Sequence, residues 1–292
     1  MRGTSVAAVH AWLLLLPAAA LLVAFTHYPI LATLRDSLFS TSRAGRASVF
    51  VGLENFRFMA ADPVFWHVMR NNVVFALGTI PASIALALLM ATWVDRRLPA
   101  RGFVRLAYFT PTILPMVAVA NIWLFFYTPQ FGLLDQVRQA LGGAPHNWLG
   151  DARTVMGCLL AMTVWKEAGF FMIFYLAALQ LVPPDLKEAA AIEGTSRWTF
   201  FRRVTFPLLM PTTLFVLVNA TINSFKLVDQ LFVLTKGGPD NASNLLLYYV
   251  YEVAFSFNDR AYASALTVVL LAILAGLAIA QFVLVERRVH YR

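Results

Sequence analysis

The chain has 292 residues, 60% of them hydrophobic and 13% charged, and a formal net charge of +8. A soluble domain carries roughly a quarter charged residues, so the composition argues against a soluble globular enzyme and for a membrane protein. A single cysteine, Cys158, excludes an intrachain disulfide and a thiolate metal site, and the histidines (His10, His27, His67, His146, His290) show no ligand spacing. The basic residues sit at the ends of apolar segments, where they set topology and meet anionic lipid rather than nucleic acid.

A membrane-crossing helix needs about 20 mostly apolar residues. Six stretches meet that length: about 11–34, 72–94, 104–127, 153–180, 207–234 and 261–285. The first has Arg2 before it and Ala18-Ala19-Ala20 inside it, as a signal peptide would, but its apolar run continues well beyond and reads as an uncleaved span. Pro81, Pro111 and Pro115 fall inside spans and suggest kinks. The expected fold is all-α: a single domain over 1–292 with six transmembrane helices.

Orientation follows from Lys and Arg near the span ends. One set of connections holds Arg2, then Arg96, Arg97, Arg101 and Arg105, then Lys187, Arg197, Arg202 and Arg203, then Arg287, Arg288 and Arg292. The opposite connections, 35–71, 128–152 and 235–260, are longer and their basic residues are nearly balanced by acids, although Arg35, Arg43, Arg46, Arg57 and Arg70 lie there. The first set is expected in the cytoplasm, with both termini. The outer connections read as folded: Trp148 suits an interfacial anchor, and Thr-Lys-Gly-Gly-Pro-Asp-Asn-Ala-Ser at 235–243 is a turn signal.

The connection 181–206 is the most informative. Pro183-Pro184 ends the fourth span. Asp185 with Glu188 three residues on resembles a capping box opening a short Ala-rich helix from Glu188 to Glu193. Gly194 stops it, and Thr195 or Ser196 can cap a second short helix to about Arg203, before Pro207 opens the fifth span. A helix–turn–helix of small residues therefore projects from the basic side. By physics alone it is either an interfacial elbow or a docking surface for another protein.

The order Glu188-Ala189-Ala190, three residues, Gly194, then Val204-Thr205-Phe206-Pro207 resembles the cytoplasmic loop of binding-protein-dependent ABC importer permeases of the carbohydrate-uptake class. That class typically reads Glu-Ala-Ala-x-Ile-Asp-Gly-Ala, and this chain departs with Glu193 and Thr195. Val51-Gly52-Leu53-Glu54-Asn55-Phe56, Gly237-Gly238-Pro239 and Tyr262-Ala263-Ser264-Ala265 resemble other family landmarks, and the C-terminal 285–291 looks like that of the first-listed permease of a heterodimeric pair, as in glycerol-3-phosphate importers. The resemblance implies a coupling helix about Glu188, Ala189, Ala190 and Gly194 seated in an ATP-binding subunit, with Arg197, Arg202 and Arg203 meeting that subunit or lipid. It also implies a second homologous permease, two ATP-binding subunits that hold ATP and magnesium, and an extracytoplasmic solute-binding protein in an inner-membrane importer. No Gly-x-x-x-x-Gly-Lys-Ser/Thr loop occurs in the chain, so ATP hydrolysis is expected on a separate polypeptide. No catalytic, metal or cofactor residues are expected here.

Polar residues inside spans are costly and mark pathways or helix contacts. Thr163, Trp165, Lys166 and Glu167 lie in the fourth span. In the fifth, Asn219, Asn223, Lys226 and Gln230 follow a spacing that lines one face of a continuous helix, with Ser224 and Asp229 beside them. In the resembling maltose-type permeases, substrate contacts fall at positions matching Thr163, Glu167, Phe170, Asn223 and Ser224, with residue types that mostly differ. The substrate-path expectation is therefore Thr163, Lys166, Glu167, Phe170, Asn219, Asn223, Ser224 and Lys226. Lys166 and Lys226 favour an anion such as sn-glycerol-3-phosphate or a glycerophosphodiester, while the amides and aromatics suit a sugar. The same residues also serve as helix-to-helix partners, and an ion-coupled secondary transporter is the rival to an ATP-driven importer.

Overall fold

The structure is a computed structural model and describes residues 3–41, 47–96 and 101–286. Arg2, Arg43, Arg46, Arg97, Arg287, Arg288, Arg292 and the C-terminal 287–291 lie outside the described residues. The chain is an all-α polytopic membrane protein. Among the described residues, four helices are long and apolar enough to cross a membrane: Ala11–Asp36, Pro63–Val94, Val155–Gln180 and Arg260–Val283. Two further pairs qualify only when joined across a bend. Arg101–Ile113 meets Met116–Tyr127 at 100°, and Arg197–Leu208 meets Met210–Leu234 at 68°.

Two compact units divide the chain. The first comprises 1–62 and 250–271. In it the N-terminal helix passes through a π-turn at Val23–His27 and ends at Asp36, and a lone antiparallel bridge pairs Phe39 with Phe50. Asn55, on the short helix Glu54–Ala61, donates to the carbonyls of Ser37 and Phe39 at 2.8 and 2.9 Å and so folds the outer segment back on itself. Tyr262 donates to Asp62 at 2.7 Å and stacks edge-on with Phe58.

The second unit comprises 63–249 and 272–292. Its centre is the packing of Pro63–Val94 against Val155–Gln180. Ala87, Ala91 and Val94 are fully buried against Phe171, Met172, Tyr175, Leu176 and Leu179. Small residues four apart leave a groove that the aromatic side chains fill; in lipid such fit supplies the association that hydrophobicity supplies in water. The second helix begins at Pro63, earlier than the apolar run at 72, because Phe65 and Val68 already turn inward. Pro81 sits inside this helix without ending it.

The third span breaks at Leu114-Pro115: Pro115 is extended (ψ 142) and caps the second half, while Pro111 stays inside the first. The fifth segment departs further from expectation. Its helix runs through Pro207 and bends at Leu209, then stops at Phe225; Lys226 is its C-cap and a new turn starts at Asp229. The continuous face expected from Asn219 to Gln230 is therefore interrupted. The Thr213 hydroxyl bonds back to the Leu209 carbonyl at the bend, and the hydroxyl of Tyr175 donates to Thr213 at 3.2 Å.

Candidate functional site

Where the third and fifth segments are interrupted, they leave a cleft of about 330 Å³ against the fourth span. Thr112 and Met116 border it from either side of the third-span break. Lys166, Glu167 and Phe170 come from the unbroken helix, and Asn223 with Lys226 to Gln230 from the interrupted one. A helix interruption exposes backbone and polar side chains at depth, which is tolerated only where protein or a wet cavity surrounds them.

Each expected pathway residue can now be placed. Lys166, Glu167, Phe170, Asn223 and Lys226 line the cleft together. The carboxylate of Glu167 is hydrogen-bonded with the amide of Asn223. The Lys166 ammonium points at backbone: Nζ donates to the carbonyls of Pro111 at 3.0 Å and Leu114 at 2.7 Å. Phe170 packs edge-on against Phe174 and supplies an apolar wall. Thr163 is buried behind the cleft, where it donates to the Leu159 carbonyl and accepts from Gln230 Nε2 at 2.7 Å. Ser224 is also buried and donates to Thr221 of its own helix. Asn219 donates to Phe215 of its own helix and is not part of the lining. Gly169 brings the fourth span against the third: a Cβ there would sit 2.1 Å from the Tyr108 carbonyl oxygen.

The connection after the fourth span is an exposed elbow. Its first helix is Pro184–Ile192. Asp185 makes no capping bond, so the capping-box expectation fails; the fixed φ of Pro184 at the first helical position starts the helix instead. Gly194 ends it with φ +64, and its Cβ position is open space. Ser196 caps the next helix by accepting from the Thr199 N–H at 3.2 Å. That helix continues through a π-turn at Phe201–Thr205 into the fifth segment. Glu188, Ala189, Gly194, Arg197 and Arg202 are exposed and Ala190 is half-buried. Ile192, outside the candidate spans, is 88% exposed, and Trp198, at the start of the bent pair Arg197–Leu208 and Met210–Leu234, is 69% exposed.

Two features escaped the sequence reading. Asn71 and Asn72 fix the turn after the fifth segment: Asn71 donates to the carbonyls of Asn241 and Asn244, and buried Asn72 accepts from the Leu246 N–H at 2.9 Å. The signal was a pair of amides directly before an apolar run. The second is Asp135, fully buried in the connection 128–154, accepting from the backbone N–H groups of Gln130 at 2.6 Å and His146 at 2.9 Å. Burial works to raise its pKa, but those backbone donors reverse the effect and hold it below the ordinary carboxylate range. Trp148, expected as an interfacial anchor, is instead packed between the Arg138 guanidinium and the His146 ring.

Comparison with known proteins points in one direction. The profile of the binding-protein-dependent transport system inner membrane component family matches residues 83–291. The sn-glycerol-3-phosphate transport system permease protein of Agrobacterium fabrum is 34% identical over 281 residues, covering 96% of each chain. The lactose transport system permease protein of Rhizobium radiobacter is 33% identical, covering 96% of this chain and 95% of its own. Among solved structures, a bacterial ABC transporter that imports the acidic polysaccharide alginate has a chain of similar fold, with a TM-score of 0.81 over 95% of both chains at 20% identity.

Proposed function

The chain belongs to the family of binding-protein-dependent transport system inner membrane components, and from that premise we propose that it forms half of the membrane pathway of an ATP-driven sugar importer. A second, homologous permease completes the pathway. An extracytoplasmic binding protein delivers the sugar, and two ATP-binding subunits hold ATP and magnesium. The connection 181–206 and both termini face the cytoplasm. Glu188, Ala189, Ala190 and Gly194 form the surface that enters the ATP-binding subunit, with Arg197 and Arg202 at its margin.

The observation that carries this reading is the exposed elbow at 184–200. A backbone turn at Gly194 with open space around it, beside small side chains and an outward Ile192 and Trp198, is a surface for close approach by another protein. The cleft supports the sugar as cargo. Asn223 and Glu167 can bond hydroxyls, and Phe170 can cover the apolar face of a ring. sn-Glycerol-3-phosphate or a glycerophosphodiester is the second reading, favoured by the exposed ammonium of Lys226 at the cleft.

The test is copurification of the chain with the products of neighbouring genes, followed by ATPase assay with the binding protein. An ATP-binding subunit should copurify, and Gly194→Arg should abolish stimulated hydrolysis, with Glu188→Ala reducing it about tenfold, as expected for loss of a charge-assisted contact. Uptake that proceeds without ATP, with no such subunit bound, would leave an ion-coupled transporter as the better account.

A further inference from the structure

The third span is interrupted in a way that leaves two carbonyls without helical donors. In a continuous helix the Pro111 carbonyl would accept from the N–H of residue 115, but residue 115 is proline and has none. Leu114 lies between the two half-helices, outside both. At membrane depth such groups must be satisfied within the protein. Lys166 supplies both bonds, at 3.0 and 2.7 Å, from the unbroken fourth span. The Thr112 hydroxyl reaches the Lys166 carbonyl at 3.4 Å, and Gly169, one turn on, lets the same two helices touch at Tyr108. The ammonium also sits at the C-terminal end of Arg101–Ile113, where the helix dipole favours a cation.

We propose that Lys166 is a positioning residue of the transport pathway and not a ligand of the cargo: its ammonium clasps the break in the third span to the fourth, so that the two walls of the cleft keep their register. The functional half of this statement rests on the importer reading above. Two of the three ammonium donors are committed to backbone, and Glu167 neighbours the charge. An anionic cargo therefore finds this cation already engaged, and Lys226 is the cation left at the cleft for it.

The test compares wild type, Lys166→Arg, Lys166→Met, Pro115→Ala and the double variant Lys166→Met/Pro115→Ala, each in the full complex reconstituted in proteoliposomes. Radiolabelled lactose and sn-glycerol-3-phosphate are the probes. Lys166→Met should lower the maximal uptake rate about tenfold while KM stays within about twofold, and Lys166→Arg, which keeps the charge and supplies several N–H donors, should recover most of the rate. A rise in KM confined to sn-glycerol-3-phosphate at an unchanged maximal rate would make Lys166 a cargo ligand and overturn the proposal, as would wild-type behaviour of Lys166→Met. Thermal melting of the detergent-solubilised complexes decides the matter even where no probe is carried or Lys166→Met assembles poorly. Pro115→Ala gives Pro111 an N–H to accept from, so it should restore part of the stability lost in Lys166→Met; purely additive losses overturn the clasp. A wild-type complex that melts normally but carries neither probe counts against the cargo reading and leaves that stability cycle to judge Lys166.

Discussion

Two connections outside the spans are built on opposite plans. The segment 128–154 closes on itself. Asp135 is buried and gathers two backbone N–H groups, the Thr154 hydroxyl donates to the Trp148 carbonyl at 2.7 Å, and Arg138 lies over the Trp148 ring. The segment 181–206 does almost the reverse. Among the described residues it has one side-chain cap, at Ser196, and one long ion pair, Lys187 to Asp95 at 3.9 Å, and it leaves Ile192 and Trp198 exposed. A segment that satisfies its own polar groups holds its backbone in place, even where Phe131 and Leu141 stay 69% and 83% exposed. One that keeps small side chains outward around an open backbone turn at Gly194 leaves room that something else fills, as the proposed ATP-binding subunit would.

The glycines of the two segments break this comparison most sharply. A Cβ on Gly132 would lie 2.4 to 2.7 Å from the carbonyl oxygens of Phe126, Thr128 and Phe125. These are backbone atoms with little room to move. Gly132→Ala should cost about 3 kcal/mol, as overpacking of a rigid site does, read as a fall in the melting temperature of the assembled complex. Gly194 has open space around it and needs glycine only for its φ of +64. Gly194→Ala should cost about 1 kcal/mol, the strain of a left-handed L-residue, and should reduce coupled ATP hydrolysis more than stability. Equal stability losses at both sites would deny the distinction.

Acid sharpens the same contrast. Asp135 has a depressed pKa because backbone donors hold its charged form. A group depressed in the folded state contributes stability that is present above the ordinary carboxylate value, about 4, and lost as pH falls through the depressed folded value. Hydrogen exchange at the Gln130 and His146 amides should therefore remain slow through pH 4 and accelerate only below it. In Asp135→Asn exchange should be faster by about tenfold at neutral pH, since a weaker neutral acceptor replaces a carboxylate, and the acid-linked step should vanish. Segment 181–206 holds no buried carboxylate of this kind among the described residues and should show no matching transition.

What the sequence disclosed about these regions depended on the range of the interaction. Apolar length placed the spans, and Pro183-Pro184 with Gly194 marked the elbow, because helix starts and stops are local chemistry. The residues that gather at the cleft were also visible as polar residues in apolar runs. Their partners were not. Lys166 finds carbonyls 52 and 55 residues away, and Asn72 finds an N–H 174 residues away. No periodicity carries such pairings. The even spacing of Asn219, Asn223, Lys226 and Gln230 misled for a related reason: it presumes one continuous helix, and the helix stops at Phe225. Proline was ambiguous as well. Pro81 rides inside a helix, while Pro115 stands at a break and caps the helix that follows it.

The smallest expected effect concerns the ionic tie of the elbow at Lys187. Asp95, at the end of the second helix, faces Arg101 at 3.4 Å and Lys187 at 3.9 Å, and the Lys187 side chain is half exposed. An exposed pair at that separation is worth roughly 0 to 1 kcal/mol, and salt screens it further. What sets the elbow's position is instead covalent and steric: the rigid Pro183-Pro184 exit, the buried Val182 just before it, and the helix from Arg197 that runs on into the fifth segment. Lys187→Gln should accordingly shift the melting temperature by no more than about 2–4 °C, given that 1 kcal/mol moves a domain of this size by that much, and coupled ATP hydrolysis should stay within twofold of wild type. An uncoupled Lys187→Gln complex, or wild-type coupling lost in high salt, would show that the pair transmits force between the elbow and the second helix. The contrast between the two segments would then be one of charge and not of room left at the turn.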